Sequence, residues 1–194
     1  MINEIKKQIK ESIAIKELVL KDKDLIKNIE LSAKAAIKAY KQKKKIMVCG
    51  NGGSAADAQH FVGELVSRFY FDRPGLNAVA LTTNTTVLTA IGNDYGFEKL
   101  FERQVEALGN KGDILIGIST SGNSVNVVKA FEKAKGLGIT TISLTGMNIC
   151  KMDDFADISL HIPSNETPRI QESQFVIEHI LCYLIEKELF GSNE

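Results

Sequence analysis

Two of the chain's three histidines fall on segments where their side chains could share one site. His60 and Glu64 are four residues apart, so on a helix both lie on one face, about one turn apart. This spacing suits two ligands of one metal ion, a carboxylate that orients an imidazole, or an ordinary contact on a helix surface. Gln171 and His179 lie on a later helical segment. The third histidine, His161, ends a predicted strand, and we expect it to be structural.

A glycine-rich turn precedes His60 and is a candidate for binding phosphate. The run GNGGSA from Gly50 matches GxGxxA, the turn whose backbone approaches the pyrophosphate of a dinucleotide. That motif requires an acidic residue about 20 positions on, yet the next predicted strand ends Leu81-Thr82-Thr83-Asn84. Two predicted helices also precede the turn, and no Gly-Lys-Ser/Thr run follows it. These departures argue against a dinucleotide site and exclude a P-loop.

A second turn of this type is rich in hydroxyl groups. Ser119-Thr120-Ser121-Gly122-Asn123-Ser124 follows a predicted strand and precedes a predicted helix. Hydroxyls and the free N–H groups of a helix start suit a phosphate monoester bound without a lysine. Serine and asparagine also cap helices, so a plain capping loop is the alternative. The presence of two such turns in one sheet favours phosphate binding.

Composition narrows the class of protein. The chain has 194 residues, 44% hydrophobic and 25% charged, which predicts a single soluble globular domain. Lysine plus arginine equals aspartate plus glutamate at 24 each, so no net field favours a nucleic acid or membrane partner. The charged start does not resemble a signal peptide, and no apolar run is long enough to span a bilayer. Three scattered cysteines predict buried thiols in a reducing cytoplasm.

Periodicity predicts the elements that position these turns. Two amphipathic helices are expected over 3–20 and 24–42, and their apolar stripes make residues 1–43 a helical extension expected to act in oligomerisation. Short apolar strands then alternate with helices, which predicts an α/β three-layer sandwich. Its central sheet is expected to be five-stranded, mostly parallel and flavodoxin-like, with ligands beyond the carboxyl ends of the strands. The expected strands are 45–49, 77–81, 113–119, 140–146 and 156–162; the expected helices are 54–69, 85–92, 97–108, 124–136 and 168–190.

Five sequence blocks resemble the phosphoheptose isomerases, a family of sugar isomerase (SIS) domains. In order along residues 46–190 they are GNGGSAADAQHFVGEL, RPGLNAVAL, GNDYGFEKLFERQVEALG, GDILIGISTSGNSVNVVKA and RIQESQFVIEHILCYLIE. The serine turn alone is typical of the wider SIS superfamily, whereas five ordered blocks are specific to the narrower family. The resemblance therefore implies a single SIS domain over residues 1–194.

The resemblance also implies one zinc ion per subunit, with His60, Glu64, Gln171 and His179 as its ligands. Nitrogen and oxygen donors of this kind suit Zn²⁺ but leave other divalent ions open. Gln171 and His179 are eight residues apart, about 12 Å along a helix and about 80° around it. They reach one ion only at full stretch, through a bent helix, or from different subunits. This distance favours an active site at a subunit interface, in keeping with the homotetramers typical of the family.

The implied activity is a ketose–aldose isomerisation. The family interconverts sedoheptulose 7-phosphate and D-glycero-D-manno-heptose 7-phosphate through an enediol, which is the first step of ADP-heptose or GDP-heptose biosynthesis for lipopolysaccharide core or capsule. The expected base is Glu64 and the expected partner acid/base is His179. Zinc beside the reacting oxygens would act as a Lewis acid. A non-catalytic SIS domain, which binds sugar phosphates as a regulator or binds a replication initiator, is the alternative; it has no need of the four metal-type residues together.

The remaining expectations concern substrate contacts. Phosphate is assigned to Ser119, Thr120, Ser121 and Ser124, and the sugar to Asn51, Gly52, Gly53, Glu64 and Gln171, with Asn93 and Asp94 at its hydroxyls. For Asn93 and Asp94 the alternative is an ordinary turn, and Arg68 is either a phosphate contact or simply exposed. Relatives often carry an acidic residue just before the RIQE segment. Thr167-Pro168 stands there in this chain, so that role is unassigned.

Overall fold

The computed structural model describes residues 1–191, and its centre is one parallel sheet. Within that range the strands are β1 (Ile46–Gly50), β2 (Ala78–Ala80), β3 (Ile114–Ile118), β4 (Thr140–Thr145) and β5 (Ile158–His161). Their order across the sheet is β2-β1-β3-β4-β5, and each neighbouring pair is parallel. This is the flavodoxin-like order, so the predicted five-stranded sheet is confirmed.

Helices cover both faces of the sheet. Within the same residues they are α1 (Ile2–Lys21), α2 (Lys23–Lys41), α3 (Gly53–Val66), α4 (Thr85–Tyr95), α5 (Leu100–Leu108), α6 (Val125–Gly136) and α7 (Thr167–Phe190). Side chains alternate along a strand, so Ile46 and Val48 pack against α2, α3 and α7, while Met47 and Cys49 pack against α5 and α6. The predicted three-layer sandwich is confirmed.

Several boundaries differ from the sequence prediction. The helix expected over 54–69 ends at Val66, and the helix expected to end at residue 92 continues to Tyr95. Gly96, at φ 90°, then stops α4, and a short 3₁₀ turn over 97–99 separates it from α5. Asp22 is the N-cap of α2, because its carboxylate accepts hydrogen bonds from the amides of Asp24 and Leu25.

The N-terminal helix pair is present, but only its second member is well covered. α2 buries residues along its length against α7 and the sheet, whereas α1 buries only Val19. Ile2, Ile5, Ile9 and Ile13 on α1 are each more than half exposed. Their spacing of three or four residues places them on one stripe of the helix. Among residues 1–191, none of the helices is both long and apolar enough to cross a membrane.

A buried ion pair ties the amino-terminal ends of β1 and β3. The Nζ of Lys45 lies 2.5 Å from Asp113, and the backbone amides of Lys45 and Asn110 donate to the same carboxylate at 3.1 and 2.8 Å. Burial acts to raise the pKa of Asp113, but these hydrogen bonds outweigh it and hold the pKa below its ordinary value. Lys45 is thus paired, although it ends the lysine-rich run KQKKK over residues 41–45. Cys49, Cys150 and Cys182 are buried free thiols, as predicted.

Replacing Asp113 by asparagine is expected to lower the free energy of unfolding by about 2–4 kcal/mol at pH 7, because Lys45 loses its partner. The folded pKa of Asp113 lies below the unfolded value of about 4, so this stabilisation is complete above pH 4 and is lost as the pH falls through the folded pKa. Urea denaturation at several pH values measures both proteins. The gap between wild type and variant should narrow on acidification; a gap that widens would contradict this account.

Candidate active site

Two helices that lie side by side carry the candidate ligands. α3 begins directly after β1, α7 is the last helix, and both pack on the same face of the sheet. They run in the same direction, because Gly53 lies beside Gln171 at one end and His60 beside His179 further along. Residues separated by more than a hundred positions in the chain therefore meet along this helix pair.

A compact His–Glu–His group forms between the two helices. The Nε2 atoms of His60 and His179 are 3.0 Å apart, and His60 Nε2 is 3.3 Å from Glu64 Oε1. One ligand-type atom from each residue lies within 4.8 Å of the others. Phe175 stacks on the His60 ring at 4.7 Å between centroids and lies 4.4 Å from the ring of His179. A single chain thus supplies all three members of the group.

The chemistry of this group suits a metal ion. Two imidazole nitrogens and a carboxylate oxygen are donors that Zn²⁺ takes in proteins. At 3.0 Å the two facing nitrogens cannot both carry a proton, so at least one ring presents a lone pair to the group. Burial and the neighbouring His60 lower the pKa of His179, which favours the neutral imidazole that metal binding requires. The group therefore has donor atoms of the kind that a divalent cation requires.

Gln171 lies at the glycine turn. A Cβ atom added to Gly53 would be 2.5 Å from Gln171 Nε2, so the absence of a side chain at Gly53 makes room for this amide. Gln171, Phe175 and His179 follow one another at four-residue spacing on α7 and face α3. The role of Gln171 as a fourth ligand stays a prediction.

The glycine turn is held by an amide pair that the sequence did not indicate. Asn51 and Asn126 exchange two hydrogen bonds of 2.9 Å through their side chains. Asn126 is buried in the first turn of α6, which begins after the serine turn. Gly52, at φ 57°, gives the chain the left-handed conformation that starts α3. The two turns are therefore fixed to each other as well as to the sheet.

The serine turn is preorganised by its own hydroxyls. Ser119 Oγ lies 3.1 Å from Ser124 Oγ, and Ser121 Oγ accepts a hydrogen bond from the Asn123 amide. Ser124 stands at the N-cap of α6, but its side chain makes no capping bond. A plain capping loop would use that hydroxyl for the helix, so this arrangement supports the ligand-binding interpretation. A cavity of about 370 Å³ opens over the turn, and its lining includes Thr120, Ser121, Asn123, Asn148, Asn165 and Thr167.

A short 3₁₀ turn, Lys151–Asp154, forms hydrogen bonds to the serine turn. The amide of Met152 donates to Gly122 O at 3.1 Å, and the amide of Lys151 donates to the Asn123 side chain at 3.0 Å. Gly122 has φ 62°, and a side chain there would collide with Cys150. This support comes from residues 150–152, which carry no motif that sequence reasoning could have used.

The other predicted residues have different surroundings. Asn93 and Asp94 are in the last turn of α4 and are joined by a 2.8 Å hydrogen bond, and their role at the sugar hydroxyls stays a prediction. Asp94 lines a second groove, of about 530 Å³, together with Asn84 and Arg103. Arg68 is exposed. His161 contacts Thr145 at 2.9 Å and Asp153 at 3.2 Å, in keeping with its expected structural role.

One acidic side chain beside the group is fully buried. Glu178 precedes His179 but points to the core side of α7, where burial and the nearby Asp57 raise its pKa to about 8. Among residues 1–191, neither of its carboxyl oxygens has a hydrogen-bond partner within the protein. A neutral Glu178 at physiological pH avoids the large cost of an unpaired buried charge.

Comparison with known proteins gives consistent results. The family model for the SIS domain matches residues 9–146. The chain is 56% identical over 186 residues to a phosphoheptose isomerase from Aneurinibacillus thermoaerophilus, covering 96% of this chain and 94% of the relative. It is 54% identical over 191 residues to one from Clostridium acetobutylicum, covering 98% and 97%. A solved phosphoheptose isomerase from Francisella tularensis superposes with a TM-score of 0.91 at 39% identity, covering 96% and 98%.

Proposed function

The chain belongs to the phosphoheptose isomerase family of SIS-domain proteins, and from that membership we propose that it interconverts sedoheptulose 7-phosphate and D-glycero-D-manno-heptose 7-phosphate. The single observation that carries the proposal is the His60–Glu64–His179 group within the same helix pair that starts at the glycine turn. Acid–base groups and a phosphate-type turn thereby occupy one edge of the sheet. A non-catalytic sugar-phosphate sensor would have no use for the group.

The proposed chemistry is a proton shift between neighbouring carbons. Glu64 takes a proton from C1 of the ketose and returns it to C2, while His179 moves a proton from O1 to O2. The enediol forms between the two transfers, and atoms and charge balance without a redox partner. His60, Glu64, Gln171 and His179 would hold one zinc ion. Bound there, zinc supplies Lewis-acid stabilisation of the charge that develops on the sugar oxygens.

The proposed substrate site runs from the serine turn to the glycine turn. Ser119, Thr120, Ser121 and Ser124 bind the phosphate through neutral donors at the start of α6, where the helix dipole favours an anion. Asn51, Gly52, Gly53, Glu64 and Gln171 line the sugar path. Asn93 and Asp94 are proposed at the sugar hydroxyls, although Asp94 also lines the second groove.

The proposed assembly is a cytoplasmic homotetramer with active sites at subunit interfaces. The uncovered isoleucine stripe of α1 supports it, because a monomer gains nothing from exposing four large apolar side chains. A groove also opens beside His179 of the His–Glu–His group. Its lining is mostly apolar and consists of Phe69, Tyr70, Val176, Ile180 and Tyr183 together with His179. Sedimentation velocity measures the number of chains.

The product of the proposed reaction would supply heptose for lipopolysaccharide core or capsule.

Purified wild type incubated with sedoheptulose 7-phosphate is expected to form the aldose phosphate. Glu64→Gln should lower kcat by about 10²- to 10⁴-fold, because the amide cannot take the C1 proton. Chromatographic measurement of aldose formation tests both proteins, and circular dichroism checks that the variant is folded. No aldose from wild type would refute the function, and undiminished turnover by the variant would refute the role of Glu64.

Gly53→Ala is expected to lower kcat at least about tenfold with little change in melting temperature. The new methyl group would lie 2.5 Å from Gln171 Nε2 and displace that flexible amide, while alanine suits the first turn of a helix. The matched control is Gly63→Ala on the same helix, where nothing lies within 4 Å of the added atom. The control should keep full activity and gain about 0.5–1 kcal/mol. Equal activity of the two variants would show that Gln171 does not act.

Wild type dialysed against zinc and analysed by mass spectrometry is expected to retain about one ion per chain, and a chelator should abolish turnover. His179→Ala removes a ligand and should lose the ion. His161→Ala is the control, because this histidine contacts Thr145 and Asp153 instead of the group. Retention of metal by His179→Ala, or its loss from His161→Ala alone, would show that the site has been misplaced.

A further inference from the structure

A second buried ion pair lies beyond the proposed metal group and joins its two helices. Arg73 Nε is 3.0 Å from Glu186 Oε1, and the two side chains are only 2% and 1% exposed. Arg73 stands in the segment that follows α3, and Glu186 lies on α7 two turns after His179. Neither residue belongs to the substrate or metal set proposed above.

Arg73 binds the end of the helix that carries Glu64. Its Nη2 donates to the backbone carbonyl of Glu64 at 2.9 Å, and its Nη1 donates to those of Leu65 at 2.7 Å and Ser67 at 3.0 Å. Carbonyl groups in the last turn of a helix have no partner within the helix, so they are free to take these bonds. One guanidinium therefore fixes the backbone of Glu64 relative to α7.

Glu186 binds the segment that follows the same helix. Its carboxylate accepts three consecutive backbone amides, from Phe69 at 3.0 Å, Tyr70 at 2.6 Å and Phe71 at 3.1 Å. The Phe69 ring lies 5.3 Å from the ring of His179. Burial acts to raise the pKa of Glu186, but the bonds from these amides and from Arg73 hold the pKa below its ordinary value. The carboxylate is therefore charged at neutral pH, and its hydrogen bonds hold the backbone of Phe69, Tyr70 and Phe71 in place beside His179.

We infer that Arg73 and Glu186 are positioning residues, which set the separation and orientation of Glu64 and His179 and thereby the geometry of the metal group. The inference rests on the proposed function of that group. Without the pair, the carbonyl of Glu64 would lose the Arg73 donor and the carbonyl of Leu65 would keep only the bond from the Leu76 amide, so Glu64 would no longer be held at a fixed distance from α7. Small displacements of a ligand matter, because metal affinity depends on preorganised geometry.

The test uses conservative variants and a metal with a visible spectrum. Arg73→Lys keeps the charge but replaces the planar fork by one ammonium group, which cannot bond the carbonyls and Glu186 together. Glu186→Gln keeps the shape and removes the charge. Metal-free proteins are titrated with Co²⁺, and affinity is measured by competition with a chromophoric chelator. Both variants should bind Co²⁺ about 10- to 100-fold more weakly, with an altered absorption spectrum, and should lose kcat with little change in KM.

The matched control is Asp113→Asn, which breaks the buried ion pair between the residues that precede β1 and β3 and involves no residue of α3 or α7. It should lower the melting temperature by a similar amount and leave Co²⁺ affinity and spectrum unchanged. If Arg73→Lys and Glu186→Gln bind Co²⁺ with the affinity and spectrum of wild type, the inference is overturned but the proposed metal group is not. Equal loss of affinity in Asp113→Asn would also overturn it, since destabilisation would then be the cause. A wild type that binds no Co²⁺ would overturn the proposed metal group and the inference together.

Discussion

The site depends on the packing of α3 against α7 in the same direction. Both helices start at the carboxyl edge of a parallel sheet, so their first turns lie beside the ligand-binding loops and their later turns lie beside each other. This arrangement places polar groups one after another along the two helices. The amide of Gln171 lies over the glycine turn, and the His60–Glu64–His179 group follows further along. An antiparallel pair would have placed His179 beside the glycine turn instead.

Neutral hydroxyls and charged groups are separated along that edge. The serine turn offers hydroxyls and the start of a helix, while the acid–base and metal-type residues lie between α3 and α7. An anionic phosphate at one end and a reacting carbonyl at the other would each meet suitable chemistry. The pair of Asn51 and Asn126 links the two parts, because it joins the glycine turn to the first turn of α6. A rigid link of this kind keeps the two ends at a fixed separation, which proton transfer requires.

Local pattern accounts for most of what the sequence predicted. Alternating apolar runs and turn residues predicted the strands and their parallel direction, and the hydroxyl-rich run from Ser119 predicted a phosphate-type turn. Element ends were less predictable, because they depend on partners elsewhere. The helix predicted to reach residue 69 stops at Val66, where Arg73 bonds the carbonyls of its last turn. The local sequence does not predict this end, because the capping hydrogen bonds come from a side chain in the following segment.

The sequence by itself determined the fold class, which follows from periodicity, while the family and the candidate ligands follow from the resemblance of five sequence blocks to the phosphoheptose isomerases. Eight-residue spacing on one helix left open how Gln171 and His179 could share a site. Only the tertiary structure decided that one chain brings His179 within 3.0 Å of His60. It also revealed the hydrogen bonds between Asn126 and Asn51, the ion pair between Arg73 and Glu186, and the bonds from residues 151 and 152 to the serine turn. These contacts join segments that are distant in sequence, and their energy comes from burial and hydrogen bonds that exist only once the helices have packed on the sheet.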